Sequence, residues 1–190
     1  GCNIVSTGKT SENDEYGDDK DLEGSIEETA RACEKKGVEA LPIQLNVRDE
    51  ESVNAAAEAA IDHFGEVNIV INNASAIQLA TVEDLPTNRF DLLTDVNVRG
   101  TYLTSRAFID HLKGVSEDAW ILTNAPPVAV DSAPGEAPYA WSKMGMSFIT
   151  LSLASELDEY DIGCNAFWPV TAIDTRATRY FGLGTEDDWR

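Results

Sequence analysis

The residues in this chain best suited to chemistry are a tyrosine and a lysine four positions apart. Tyr139 and Lys143 lie in a segment predicted to be helical, and side chains four apart on a helix lie above one another on the same face. A cation at that distance favours the phenolate, so we expect the pKa of Tyr139 to fall from about 10 toward neutrality. The pair is therefore a candidate general acid and base near neutral pH.

Two other segments could contribute to the same site. Residues Asn72 to Ser75 follow Val67 to Ile71, a short apolar and β-branched run that predicts a buried parallel strand. The carboxyl end of such a strand is where an α/β sheet binds its ligand. Asn97 lies midway along another predicted helix. Asparagine is a poor helix former and is usually solvated there, so Asn97 has a role only if it faces the site.

These motifs resemble those of the short-chain dehydrogenase/reductase family, over residues 1 to about 184. The family's Asn-Asn-Ala-Gly motif corresponds to residues 72 to 75, with Ser75 in the glycine place. Its helix asparagine corresponds to Asn97, and its Tyr-x-x-x-Lys motif to Tyr139 and Lys143. Its Pro-Gly turn corresponds to Pro169-Val170, with valine replacing glycine. Three longer stretches are similar to the hydroxysteroid dehydrogenase-like branch: residues 72–77, 99–102 and 168–173.

The resemblance implies an α/β fold with a doubly wound, Rossmann-like parallel sheet, and NAD(P)-dependent interconversion of an alcohol and a carbonyl. Tyr139 would exchange the proton, and Lys143 would lower its pKa and hold the nicotinamide ribose. Asn97 would hold a relay water. A homo-oligomer, dimer or tetramer, is also implied, because the two corresponding long helices of the family pack against another subunit.

The expected cofactor is NADP, with NAD as the alternative. A ribose 2′-hydroxyl is usually held by an acid at the end of the second strand, and a 2′-phosphate by a cation. No acid occurs between Val5 and Glu12, whereas Lys9 is available. By resemblance, Asn46 and Val47 lie beside the adenine and the turn after residue 168 flanks the carboxamide. The remaining expected cofactor contacts are Asn73, Ala74, Ser75, Lys143, Pro169, Thr171, Ile173 and Thr175.

Two departures from the family pattern matter. The family's serine lies thirteen residues before the tyrosine, where this chain has Pro126, and the neighbouring place holds Ala125. Ser132, Thr123 and Asn124 are the candidates to replace this serine.

The glycine-rich turn is the second departure, because Thr7-Gly8 is followed by no glycine until Gly17. Residues 1–190 are therefore expected to be one dinucleotide-binding domain, incomplete at both ends, partly unfolded and unable to bind NADPH tightly by itself.

The composition limits the possible partners. With 34 acidic and 14 basic residues, the net charge is −20, which disfavours nucleic acid and anionic membranes. The acids are spread along the chain, which indicates adaptation to high salt or, alternatively, an ordinary acidic enzyme.

No apolar run approaches the ~20 residues that cross a bilayer. Three widely spaced cysteines fit neither a disulfide framework nor a metal site and suggest the cytoplasm.

Strand and helix patterns alternate, which predicts a parallel sheet. Strands are predicted at 2–5, 38–47, 67–71, 120–123 and 162–168. A helix from residue 26 ends at Gly37, a second carries Val53 to Phe64, and two long helices span 88–113 and 138–157. Gly100 inside a helix costs about 1 kcal/mol relative to alanine, so we expect a close helix contact there.

The predicted function is oxidoreduction of an apolar small molecule. The alternative is a non-catalytic or truncated relative that retains the fold and an interaction surface. The expected pocket is lined by apolar residues of three loops, although such residues are as often core: Ile77, Leu79, Pro126, Pro127, Val128, Trp141 and Phe181.

Overall fold

Parallel strands alternate with helices along the chain. The computed structural model describes residues 1–12, 24–126, 135–169, 173–175 and 178–179. Its internal contacts form two units, Gly1–Leu45 with Pro169–Arg190, and Asn46–Trp168. The α/β class with parallel strands that the sequence predicts is confirmed, and the single domain stays a prediction.

The first unit is built on two strands and one helix. Strand β1 (Ile4–Gly8) pairs in parallel with β2 (Ala40–Gln44), and α1 (Ile26–Glu34) connects them. Helix α1 begins at Ser25 because its hydroxyl accepts a hydrogen bond from Glu28 N at 3.0 Å, which satisfies one of the free amides of the first turn. Gly37, with φ of 85°, reverses the chain after the helix.

The second unit contains a three-stranded parallel sheet in the order β3-β4-β5. Its strands are β3 (Ile69–Asn72), β4 (Ala119–Asn124) and β5 (Ile162–Phe167). Its helices are α2 (Glu50–Phe64), α3 (Thr87–Leu93), α4 (Gly100–Leu112) and α5 (Ala137–Glu156), with a π-helical segment at Thr94–Arg99 and a 3₁₀ turn at Asp158–Tyr160. The carboxyl ends of β3 and β4 meet at the same edge, because Asn72 lies opposite Thr123.

The core of the second unit lies between the sheet and helices α4 and α5. Alternate strand residues such as Val70 and Ile121 are buried there against Leu112 and Leu153 of the helices. Side chains alternate between the two faces of a strand, so Ile71 is exposed on the opposite face. The sheet of this unit therefore has one face packed against helices and one face with exposed side chains, in line with the alternation of residues along its strands.

The prediction of one regular α-helix over residues 88–113 is wrong, because a π-helical segment interrupts it. Between α3 and α4 the chain forms the π-helical segment, where Asn97 is fully buried. Single π-turns insert a residue into a helix and are frequent at functional sites. The other predicted elements are present, with ends displaced by up to three residues.

Two glycines allow close approach inside the second unit. A Cβ on Gly100 would lie 3.0 Å from Val47 Cγ2, so the close contact at Gly100 is made with the segment before α2 and not with another helix. A Cβ on Gly145 of α5 would lie 2.8 Å from Val98 Cγ2. The second contact brings the tyrosine-bearing helix against the π-helical segment.

Candidate active site

Tyr139 and Lys143 lie on successive turns at the start of α5. Pro138 in the first turn fits a helix start, because proline has no N–H to leave unpaired. Lys143 is 8% exposed, and its Nζ donates a hydrogen bond to the main-chain oxygen of Asn124 at 2.7 Å. The ammonium group is therefore held at the carboxyl end of β4.

The expected direction of the tyrosine pKa is wrong in this structure. Burial raises the pKa of Tyr139, and the negative charge of Glu136 raises it further. Burial also lowers the pKa of Lys143 to about 8. Four-residue spacing placed the two residues on adjacent turns, but the ammonium bonds a carbonyl at the strand end. Tyr139 thus keeps its proton near neutral pH.

Asn97 ties three segments together. Its Oδ1 accepts from Ala76 N at 2.7 Å, and its Nδ2 donates to Ala76 O at 3.1 Å and to Ser142 Oγ at 2.8 Å. Ser142 in turn donates to Tyr139 O at 2.8 Å. The main-chain oxygen of Asn97 accepts from Thr101 Oγ1 at 2.7 Å. A solvated Asn97 was the ordinary expectation for its position; instead its side chain positions the loop after β3 against α5. Its role in holding a relay water stays a prediction.

The segment after β3 divides into a buried and an exposed part. Asn72 is buried, and its Nδ2 donates to Ser105 Oγ at 2.9 Å and more weakly to Thr123 Oγ1 at 3.4 Å. Asn73, Ala74 and Ser75 are exposed. Asn73 Oδ1 accepts from Asn124 Nδ2 at 2.9 Å, so side chains from two neighbouring strand ends meet beside Lys143.

The structure narrows the replacements for the missing serine. Ala125 is fully buried, and its N–H bonds Phe167 O at 3.0 Å. Thr123 is also fully buried and contacts Asn72, so its hydroxyl lies in the core. Asn124 lies at the strand end and contacts both Asn73 and Lys143. Ser132 lies outside the described residues.

The other predicted cofactor contacts are distributed over both units. Asn46 and Val47 precede α2 in the second unit, where Asn46 Oδ1 accepts from Arg48 N at 3.2 Å. Lys9 belongs to the first unit, is exposed, and accepts from Gln44 Nε2 through its main-chain oxygen at 2.9 Å.

The turn after residue 168 is described in part. Pro169, Ile173 and Thr175 are exposed residues of the first unit, and Thr178 Oγ1 donates to Ile173 O at 2.8 Å. Thr171 lies outside the described residues, as do Pro127, Val128 and Phe181 of the predicted pocket. The contacts of this turn with a cofactor stay predictions.

The described residues fit one end of a nicotinamide cofactor. Lys143 has two further N–H donors beyond its bond to Asn124, and the exposed Asn73 contacts the same Asn124, which suits the binding of ribose hydroxyls. The helix starts that follow β1 and β2 form no phosphate cradle. Ser25 and Asp49 already cap α1 and α2, and acidic residues occupy both first turns, which repel an anion.

Two contributing residues carried little signal in the sequence. Ser142 is buried between Asn97 and the main chain of Tyr139. Glu136, the residue before α5, raises the pKa of Tyr139 through its negative charge. Their positions three residues after and three residues before Tyr139, one helical turn away, could have indicated both. Across the part of the chain that the structure describes, no cluster of metal-binding side chains occurs, and no helix is both long and apolar enough for a membrane span.

Comparison with known proteins decides the family. The family model for short chain dehydrogenases matches residues 20–183. The chain belongs to the short-chain dehydrogenase family. It is similar to human hydroxysteroid dehydrogenase-like protein 2, with 42% identity over 184 residues, which covers 96% of this chain and 42% of that protein. This agrees with the branch that the sequence motifs resemble.

Solved structures of the family show the same fold. A short chain dehydrogenase from Mycobacterium thermoresistibile is 36% identical with a TM-score of 0.85, covering 97% of this chain and 64% of that one. An alcohol dehydrogenase from Thermococcus sibiricus, complexed with 5-hydroxy-NADP, is 26% identical with a TM-score of 0.69, covering 79% of this chain and 62% of that one. The chain thus spans less than two thirds of the length of each protein.

Proposed function

We propose that the protein containing this chain is an NAD(P)-dependent oxidoreductase that interconverts an alcohol and a carbonyl, with Tyr139 as the acid and base. The observation that carries the proposal is the position of Lys143, buried one turn from Tyr139 with its Nζ at the end of β4. That edge of the sheet is where α/β folds bind ligands. Membership in the short-chain dehydrogenase family supports the oxidoreductase class.

The chemistry assigned to the chain is proton transfer and orientation. A bound nicotinamide supplies or accepts the hydride. Tyr139 carries its proton near neutral pH because burial raises its pKa, so it is suited to protonate the oxygen of a carbonyl during reduction. Lys143 would hold ribose hydroxyls, and its charge would favour the phenolate left on Tyr139 after the proton moves.

We propose NADP rather than NAD as the cofactor. The support is Lys9, exposed at the end of β1 with no acid between Val5 and Glu12. A cation there suits a 2′-phosphate, whereas an acid would suit a free 2′-hydroxyl.

The substrate is proposed to be an apolar alcohol or carbonyl. Among the predicted lining residues, Leu79 is 40% and Trp141 49% exposed. Trp141 stacks on Phe90, with ring centroids 5.5 Å apart and an interplanar angle of 26°. Trp141 lies two residues from both Tyr139 and Lys143, on the opposite face of α5, so Leu79 is the exposed side chain of this pair that suits a hydrophobic ligand at the site. The name of the similar hydroxysteroid dehydrogenase-like protein agrees with this class.

Tyr139→Phe tests the proposed chemistry. In the whole protein that contains this chain, the variant should lose turnover by at least ~100-fold, as expected when a general acid is removed. NADPH affinity, measured by fluorescence titration, should remain within about threefold of the wild type. Tyr160→Phe, which changes an exposed tyrosine of the second unit, is the matched control. Retained turnover in Tyr139→Phe would show that Tyr139 is not the acid and base, whereas no turnover in the wild type would favour a non-catalytic family member that retains an interaction surface.

We also propose that the protein is a cytoplasmic homo-oligomer, a dimer or a tetramer. Apolar side chains are exposed on the outer face of α5 and on α4, which contacts it in the second unit. A second copy of the same chain would bury them. Nucleic acid and anionic membranes are disfavoured as partners by the net charge of −20.

A further inference from the structure

A second hydrogen-bond donor is needed beside Tyr139 in the proposed reaction. A carbonyl oxygen gains negative charge as its carbon is reduced, and preorganised donors aimed at that oxygen give large rate effects. Ala125 uses its N–H on Phe167, Pro126 has no N–H, and the Thr123 hydroxyl is buried. The residues at and around the missing serine therefore leave one described candidate, Asn124.

Asn124 is fixed at both its main chain and its side chain. Its main-chain oxygen accepts from Lys143 Nζ at 2.7 Å, one helical turn from Tyr139. Its Nδ2 donates to Asn73 Oδ1 at 2.9 Å. An amide nitrogen carries two hydrogens, so the bond to Asn73 uses one and orients the second. The residue ends strand β4, and sites on strands are held more precisely than sites on loops.

We propose that the side-chain amide of Asn124 donates a hydrogen bond to the substrate carbonyl oxygen beside Tyr139. This assignment rests on the proposed oxidoreductase function. With NAD(P)H as the reductant, the carbonyl carbon gains a hydride and the electron pair of the C=O π bond moves onto oxygen. Asn124 N–H stabilises that charge until the Tyr139 proton bonds the oxygen. Asn124 itself keeps its protons, and no bond to it forms or breaks.

The test compares Asn124→Leu, which removes the donor at similar size, with Asn124→Ser, which restores one. Asn165→Leu on exposed β5 is the matched control. In the whole protein, with cyclohexanone and NADPH as probes, kcat of Asn124→Leu should fall about 100-fold while KM changes less than threefold. Asn124→Ser should recover at least tenfold, and NADPH affinity should be unchanged in every variant.

A binding measurement gives a readout that does not depend on turnover. Cyclohexanecarboxamide presents a carbonyl oxygen that this chemistry does not reduce. Its dissociation constant with the NADPH-loaded protein should rise about threefold to tenfold in Asn124→Leu, the loss expected for one hydrogen bond. If Asn124→Leu does not fold, Asn124→Ala takes its place in both measurements.

The outcomes separate this assignment from the proposed function. If Asn124→Leu keeps kcat and amide affinity within threefold of Asn165→Leu while Tyr139→Phe is inactive, the role of Asn124 is overturned and the function stands. If the amide does not bind the NADPH-loaded wild type, the role is also overturned. If the whole protein neither binds NADPH nor reduces a carbonyl, both proposals fail together.

Discussion

Lys143 combines a positive charge with a nearly complete loss of contact with water. Burial disfavours its charged form and lowers its pKa from 10.5 to about 8. Below pH 8 the residue is protonated in both the folded and the unfolded protein. Between pH 8 and 10.5 the folded protein has already released the proton, so the unfolded chain binds more protons. The free energy of unfolding must therefore rise with pH in that window.

We expect this linkage to be measurable against a variant without the charge. Between pH 8 and 9.5 the wild type should gain about 2 kcal/mol in the free energy of unfolding relative to Lys143→Met. The measurement is urea unfolding of both proteins at several pH values. It stops at 9.5 because the raised pKa of Tyr139 acts in the opposite sense above pH 10. If the free energy of unfolding changes with pH in the same way in both proteins, burial does not lower the pKa of Lys143.

Lys9 provides the residue-scale test of cofactor choice. If its ammonium contacts a 2′-phosphate, the whole protein should bind NADPH at least tenfold more tightly than NADH. Lys9→Ala should narrow that difference, because a charge-assisted contact to phosphate is lost. Lys36→Ala, an exposed lysine elsewhere in the first unit, is the control. Equal affinities for the two cofactors, or a preference for NADH, would assign NAD instead. Fluorescence titration measures both.

At the scale of elements, α5 has two faces with different roles. Its inner face carries Ser142 and Lys143 toward Asn97 and the end of β4. Its outer face exposes Trp141, Phe148 and Leu151, at 49%, 67% and 62%. The spacing of seven and three residues places these apolar side chains in one stripe. Contiguous exposed apolar surface of this kind marks interaction sites.

We predict that this stripe is the interface of the proposed homo-oligomer. Phe148→Glu should convert the whole protein to a smaller species, because a charge would be buried without a partner. Ala59→Glu places the same charge on the exposed face of α2 and should leave the assembly unchanged. Sedimentation equilibrium measures the masses. An unchanged mass for Phe148→Glu would place the interface, if one exists, on another surface.

At the scale of the whole molecule, charge dominates. The chain carries 34 acidic and 14 basic residues, and arginines in several described ion pairs, such as Arg48 with Asp95, contact only a few of the acids. The remaining like charges repel one another in the folded state. Salt shortens the range of that repulsion from about 10 Å at 0.1 M to about 3 Å at 1 M.

We therefore expect molar salt to stabilise the protein. The melting temperature should rise by about 5 °C or more between 0.1 M and 2 M KCl, which corresponds to roughly 2 kcal/mol for a chain of this size. Replacing four exposed acids by their amides, at Glu34, Glu58, Asp62 and Glu117, reduces the net charge from −20 to −16. That variant should show a smaller rise. An unchanged or lower melting temperature in KCl would contradict adaptation to high salt.

The sequence by itself determined the features that depend on local pattern. Hydrophobic periodicity predicted alternating strands and helices, because period and burial are linked within a few residues. The spacing from Tyr139 to Lys143 predicted two side chains on successive turns of one helix, and the motifs identified the family. Element ends were less certain, since caps and pairing partners set them.

Tertiary structure decided what depends on residues far apart in sequence. Asn97 is buried because Ala76 and Ser142, 21 and 45 positions away, satisfy its amide. Helical spacing predicted that the ammonium of Lys143 acts on Tyr139, but its Nζ donates to the main-chain oxygen of Asn124, 19 positions away. The pKa of Tyr139 rises because burial disfavours the phenolate. Burial and electrostatics sum over the whole packed environment, and no pattern within one helix contains that information.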